Sequence, residues 1–239
     1  MKINVHAGHN PDGKVANGAV GYLRESTEAR RVKDEVISQL RQLGHTLYDC
    51  TCENGSSKAD VLTKIVKLCN VRNVDLDISI HFNAGHSDSG DGKTTGTEVY
   101  IYSANSKAKE CATKVCAEIS ALGFRNRGVK VNPSLYFLKH AKAPAMLIEC
   151  CFVDDKDDAQ LYDCQKMADA IVRGIAGTNP KQTIIDVDPE AEKADAETPC
   201  SDGKSIYKVQ VGAYSVKANA DALRDKLKTA GFDAIVIKA

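Results

Sequence analysis

The stretch DLDISIHFNAG, residues 75–85, decides how this chain folds. Within it Ile78, Ile80 and Phe82 alternate with Ser79 and His81, the period of two that a β-strand imposes on its side chains. Upstream, KINVHA (2–7) is a second β-branched run, ended by the turn Gly8-His9-Asn10-Pro11. Downstream, APAMLIE (143–149) is a third apolar run. HTLYDC (45–50), GTEVYIY (96–102) and SLYFLK (134–139) complete the segments read as strands. Helical patterns lie between them: about 28–43, with Val32, Val36, Ile37 and Leu40 on one face, then about 60–70, 107–122 and 157–175. This alternation predicts an α/β fold, a mixed or mostly parallel sheet flanked by helices. Three strand ends carry His9, His81 and Glu149, so the pattern predicts their convergence on one edge of the sheet.

The character of the chain changes after residue 176. Residues 177–203, rich in proline, alanine and acids without apolar periodicity, read as an acidic linker. From 204 to 239 a compact pattern returns: YKVQVGAY alternates like a strand, Ala218–Thr229 has helical spacing, and DAIVIK is a second strand, a small βαβ module. The loop SDSGDGKTTG (87–96) is turn-forming and mobile by composition. It either rims a site beside His81 or is a plain surface connection.

Four residues stand in settings suited to chemistry: His9, Glu25, His81 and Glu149. Two histidines and a carboxylate leave one position of a tetrahedral zinc open for water, the arrangement of a catalytic site. Glu149 follows a buried apolar run, where it would be held beside that water as a proton shuttle. Glu25 precedes the first helix, which Ser26 or Thr27 would cap, and a carboxylate there is favoured by the helix dipole. Glu28 is its rival. Asn83, two positions past His81, either binds substrate, orients a ligand or merely forms the turn. Each residue alone has an ordinary structural reading; the combination points to a zinc hydrolase.

GHN near the start, an acid opening the first helix, then SIHFNA and LIECCFVDD in that order resemble the zinc-dependent N-acetylmuramoyl-L-alanine amidases of the Amidase_3 type. The resemblance covers roughly residues 1–176 and implies one Zn2+ held by His9, Glu25 and His81, with Glu149 as catalytic acid/base. The implied reaction cuts the amide joining the lactyl group of N-acetylmuramic acid to the L-alanine of the stem peptide in bacterial peptidoglycan. Two positions depart from the family. His6 stands where an Asp is common, and Asn10 where Gly often follows the first ligand. His6 is open as a supporting partner or an alternative ligand. The tail, through VQVGAYS and LKTAGFDA, resembles the first half of a SPOR domain, a module that binds peptidoglycan glycan strands. One such half, of about 35 residues, is too small to be stable alone, and homodimerisation through it is the favoured solution.

Composition bounds the alternatives. Charges balance, 32 basic against 32 acidic, which argues against nucleic-acid partners. No apolar run is long enough to insert in a membrane, and the start lacks the basic and apolar regions of a signal peptide. Nine cysteines, an odd number with no C-x-x-C pair, read as free thiols rather than a disulfide framework or a zinc cluster, with Cys69, Cys111, Cys116 and Cys164 as small core residues. The expectation is a chain made in the host cytoplasm that acts at the cell wall, as endolysins of clostridial phages do. The rival readings are a zinc peptidase acting on stem peptides and a catalytically inactive wall-binding protein.

Overall fold

Six strands form one sheet in the order β2-β1-β3-β6-β4-β5. They are β1 (Lys2–Ala7), β2 (Thr46–Asp49), β3 (Leu76–Asn83), β4 (Thr97–Ile101), β5 (Asn126–Val131) and β6 (Ala145–Phe152). The helices are α1 (Glu25–Gln42), α2 (Lys58–Cys69), α3 (Lys109–Ser120), α4 (Tyr136–His140), α5 (Lys156–Leu161) and α6 (Cys164–Ala176). The structure is a computed structural model that describes residues 1–180, together with Asp221, Arg224 and Lys228. Those three are helical, inside the stretch Ala218–Thr229 read as a helix from sequence. The remainder of the linker and of the 204–239 module lies outside the described residues. The chain divides into two compact units, residues 1–182 and 183–239.

The sheet is mixed, as the sequence predicts. β2, β1, β3 and β6 run parallel, β4 lies antiparallel to β6, and β5 pairs parallel with β4. Alternation then sorts the side chains onto two faces. Ile3, Val5, Ala7, Ile78, Ile80, Phe82, Val99, Ile101, Met146, Ile148 and Cys150 belong to one buried core with residues of α1, α3 and α6. The packing there is close: a Cβ on Gly174 of α6 would meet the Val115 backbone of α3 at 2.5 Å. The opposite face carries transverse rows set by register: Asn4–Asp77–Ala145, then His6–Ser79–Leu147–Tyr100, then His81–Glu149–Glu98. A smaller apolar cluster of Val61, Ile65 and Cys69 from α2 with Phe137 and Leu138 from α4 covers Ala145 and Leu147 of that face.

The helix ends follow capping chemistry. Ser57, Asp155 and Asp163 each accept a backbone N–H of the first turn of α2, α5 and α6, and Gly177, in the left-handed conformation, ends α6. The expected single helix 157–175 is thus two, because Asp163 restarts the chain as a cap.

SLYFLK is a correction. It forms α4 rather than a strand, since Asn132 Oδ1 accepts from Ser134 N and Oγ in a local turn that directs the chain into a helix. The strand in that region is β5, NRGVKV, whose charges and glycine hide it from periodicity. All eight described cysteines are free. Cys69 packs in the smaller cluster, and Cys111 and Cys164 are half-buried beside the larger one. Burial raises the Cys150 and Cys151 thiols well above their ordinary range, which disfavours either as a nucleophile.

Asp77 is nearly sealed from solvent, with Oδ1 accepting from Asn4 Nδ2 at 2.7 Å and Oδ2 unpaired among the described residues. Burial pushes its pKa up to about 6, against the opposing hydrogen bond from Asn4. A folded-state pKa above the unfolded value means the folded state binds the proton more tightly, so stability falls as pH rises from about 4 to about 6. Asp77→Asn is expected to raise stability at pH 7 by about 1–2 kcal/mol and to flatten that slope. Urea denaturation of both proteins at pH 4.5 and 7 measures this.

Candidate metal centre and active site

His9, Glu25 and His81 come together although they lie on three different elements. Their ligand atoms are all within 4.8 Å of one another. His9 sits two residues past β1, Glu25 is the first residue of α1, and His81 is the sixth residue of β3. Glu25 is buried and is the hub. Its Oε1 lies 2.9 Å from His81 Nδ1 and 3.2 Å from His9 Nε2, and accepts the Phe82 N–H at 3.2 Å. Its Oε2 accepts the Ala19 N–H at 2.8 Å. Burial works to raise the Glu25 pKa, but the hydrogen bonds from His81 and His9 outweigh it and hold the carboxylate well below its ordinary range. Burial also lowers His81, against the pull of Glu25, favouring the neutral ring that a metal requires.

The chain leaves space for this cluster by omitting side chains. A Cβ on Gly8 would lie 1.8 Å from His81 Nε2, and one on Gly18, whose φ is +80°, would lie 2.5 Å from Glu25 Oε2. The fully buried Asn10 fixes the loop behind His9, donating to Val15 O and Gly55 O at 2.7 Å each and accepting from Gly55 N at 2.9 Å. Its departure from glycine is therefore structural. Arg30 Nη2 supports the same loop, donating to His9 O at 2.8 Å and Cys52 O at 3.0 Å.

Glu149 is the register partner of His81 across β3 and β6. Its Oε2 is buried with no hydrogen-bond partner among the described residues. Burial, then the charges of Glu25 and Glu98, raise its pKa well above the ordinary value. These facts revise the expected strand-end placement: β6 continues through ECCF to Phe152, and Glu149 sits within it. His81 likewise precedes the end of β3, where the register shifts between His81 and Asn83.

Glu25 lies inside α1, and neither Ser26 nor Thr27 caps it; Arg24 holds the cap position without a side-chain bond. Glu28 pairs with Arg31 and accepts from Tyr162 OH at 2.9 Å. His6 packs edge-on against Phe137 with ring centroids 4.5 Å apart, outside the ligand cluster, and burial pushes it down to about 3. Asn83 donates to Glu98 Oε1 at 2.9 Å. Glu98 itself escaped sequence reading: alternation in GTEVYIY places it opposite Val99, but only the β4–β6 register sets it beside Glu149.

The 85–96 loop is pinned by the segment after β6. Asp154 Oδ2 accepts from the N–H groups of Gly85, His86 and Ser87, Asp157 from Gly92, Asp155 from Thr95, and Asp158 from Gly96. Asp88, Asp91 and Asp157 also cluster, and each accepts a loop N–H.

A two-histidine, one-glutamate donor set gathered within 4.8 Å in an α/β sheet could hold a metal ion. Residues 3–177 match the N-acetylmuramoyl-L-alanine amidase family Amidase_3, and the chain belongs to that family. Residues 201–239 match the SPOR domain. The chain is 34% identical over 195 residues to an uncharacterized protein of Clostridium perfringens (strain 13 / Type A), covering 81% of this chain and 56% of that one. It thus spans little more than half the length of that relative. It is also 27% identical to the N-acetylmuramoyl-L-alanine amidase CwlM of Bacillus licheniformis, over 99% of this chain and 85% of that protein. Among solved structures, the catalytic domain of the CD27L endolysin targeting Clostridia Difficile is similar, with TM-score 0.67 and 29% identity. That match covers 75% of this chain and 98% of that one.

Gly8→Ala tests the cradle. The new Cβ is expected to displace the His81 ring and break its bond to Glu25, read as a changed imidazole nitrogen shift in two-dimensional NMR. An unchanged His81 signal would contradict the packing described.

Proposed function

We propose that this protein is an N-acetylmuramoyl-L-alanine amidase that hydrolyses the amide between the lactyl group of N-acetylmuramic acid and L-alanine in peptidoglycan. The observation that carries the reading is the pairing of Glu149, with its unpartnered Oε2, to a compact His9–Glu25–His81 donor set. The donor set fits a single Zn2+ in number, chemistry and spacing, and the cradle at Gly8 and Gly18 keeps the donors clear of other side chains. When bound, zinc supplies Lewis-acid polarisation of the scissile carbonyl and acidification of a water.

His9, Glu25 and His81 hold the ion in this reading, and the close fit of the His81 ring against Gly8 fixes the ring. Glu149 takes a proton from the attacking water at Oε2 and delivers it to the departing L-alanine amine. Its raised proton affinity suits a group that must keep the proton between those two events. Asn83 is held by Glu98 at the rim of the same row, in position to orient substrate.

The division we propose is a catalytic domain over 1–176, an acidic linker over 177–203, and a wall-binding and dimerising module over 204–239, the last supported by the SPOR match. The setting we propose is an endolysin that lyses its host by acting at the cell wall, supported by the likeness to CD27L. No helix among the described residues is long and apolar enough to cross a membrane.

Mass spectrometry of muropeptides released from purified peptidoglycan tests the reaction. The expected products are intact stem peptides beginning at a free L-alanine amine, lost on chelation and restored by zinc. Cuts inside the stem would replace the reading by a peptidase, and no release by a wall-binding protein. Two variants divide the roles: Glu149→Ala is expected to retain zinc and lose activity about 100-fold or more, whereas His81→Ala is expected to lose zinc, both read by metal analysis and dye release from labelled walls. Wild-type lysis by Glu149→Ala would sink the mechanism.

A further inference from the structure

The row that carries His81 and Glu149 does not stop at β6. It continues onto Glu98 of β4, the register partner of Glu149, and through it to Arg127 and Lys130 of β5. Glu98 is 2% exposed and accepts from Asn83 Nδ2 at 2.9 Å, Tyr100 OH at 2.6 Å, Arg127 Nε at 2.6 Å and Lys130 Nζ. One carboxylate thus faces two cations. A buried acid needs one close cation and satisfied lone pairs, and here Glu98 holds two, so the Glu98 cluster carries one cation more than its own carboxylate balances.

Both cations retain free donors. Arg127 uses Nε on Glu98, while its two terminal amino groups make no hydrogen bond to any described residue. Its guanidinium lies 5.0 Å from the centroid of the Phe152 ring, which fixes its plane. Lys130 gives a single hydrogen bond and lies 5.9 Å from the Tyr100 ring centroid. The two side chains are 25% and 38% exposed, so both are anchored yet reachable. A guanidinium held by Nε with its outer edge free is arranged for bidentate capture of a carboxylate.

The spacing fits a stem peptide. Neighbouring strands lie about 4.8 Å apart, so Glu98 stands about 5 Å and the β5 backbone about 10 Å from the Glu149 strand. A peptide advances at most about 3.3–3.6 Å per residue, which puts a carboxylate on the second residue about 7 Å from the scissile amide. Arg127 and Lys130, both on Glu98 Oε2, stand one strand beyond the register partner of Glu149, on the side towards which such a peptide would extend. We infer that Arg127 and Lys130 form a subsite for the free carboxylate on the second residue of the stem peptide, with Glu98 as the positioning residue that holds both. The subsite rests on the amidase reading and makes the enzyme selective for anionic stems over stems amidated at that carboxylate.

The test compares kcat/KM of the full chain on two muramoyl tripeptides whose second residue is D-glutamate or its α-amide, D-isoglutamine. Purified peptidoglycan is run alongside as substrate. The wild-type protein is expected to prefer the carboxylate about tenfold, mostly through KM, the size of one charge-assisted hydrogen bond at a partly exposed site. In the double variant R127Q/K130Q the ratio is expected to collapse towards one. A ratio near one in the wild-type protein overturns the subsite, and this arm needs no variant to fold. A preference undiminished in a folded R127Q/K130Q protein overturns the assignment to these two residues. Absence of amide cleavage in peptidoglycan overturns instead the amidase reading, and the subsite with it.

Discussion

One buried carboxylate holds the functional half of this molecule together. Glu25 receives His81, His9 and two backbone N–H groups, and it does so from the first turn of α1, whose dipole favours a negative charge there. Its two oxygens therefore join the start of a helix, the loop after β1 and the end of β3. Such a group is costly to bury alone and strongly held once four donors surround it. The shape of the 8–24 loop follows, because Gly8 and Gly18 are the points at which the chain must come close without a side chain.

The sheet supplies what Glu25 cannot, a fixed direction. Parallel pairing of β3 with β6 and antiparallel pairing of β6 with β4 put His81, Glu149 and Glu98 on one transverse line. Ala145 and Leu147 in the lower rows of the same face are covered by α2 and α4. The carboxylates of this line and Glu25 beside it differ by surroundings alone. Glu25 is held by imidazoles and Glu98 by two cations, both favouring ionisation, whereas Glu149 has burial and two negative neighbours, which favour its protonated form.

Much of this was legible in the chain. Alternation in β1 and β3 and the apolar run of β6 mark these segments as buried strands, and His81 and Glu149 stand out as polar residues towards their C-terminal ends. What escaped was non-local. Glu98 gains meaning only from the β4–β6 register, which no local pattern encodes. β5 was hidden because it is an edge strand whose side chains are charged and half-exposed, a composition that also blunts pairing with other chains. SLYFLK misled because its aromatic run has the makeup of a strand, while the preceding Asn132 turn sets the backbone for a helix. Asn83 lost its simple alternation at a bulge.

The loop after β3 has a consequence for engineering and for evolution. Its backbone is bound at 85–88 and again at 92–96 by the run of aspartates after β6, so both of its flanks are anchored. The peptide bond between Gly90 and Asp91 is crossed by none of these contacts. Lineages and designers can therefore lengthen the chain there, adding a lobe or a label beside this face, while the anchored flanks insulate His81 from whatever is grafted.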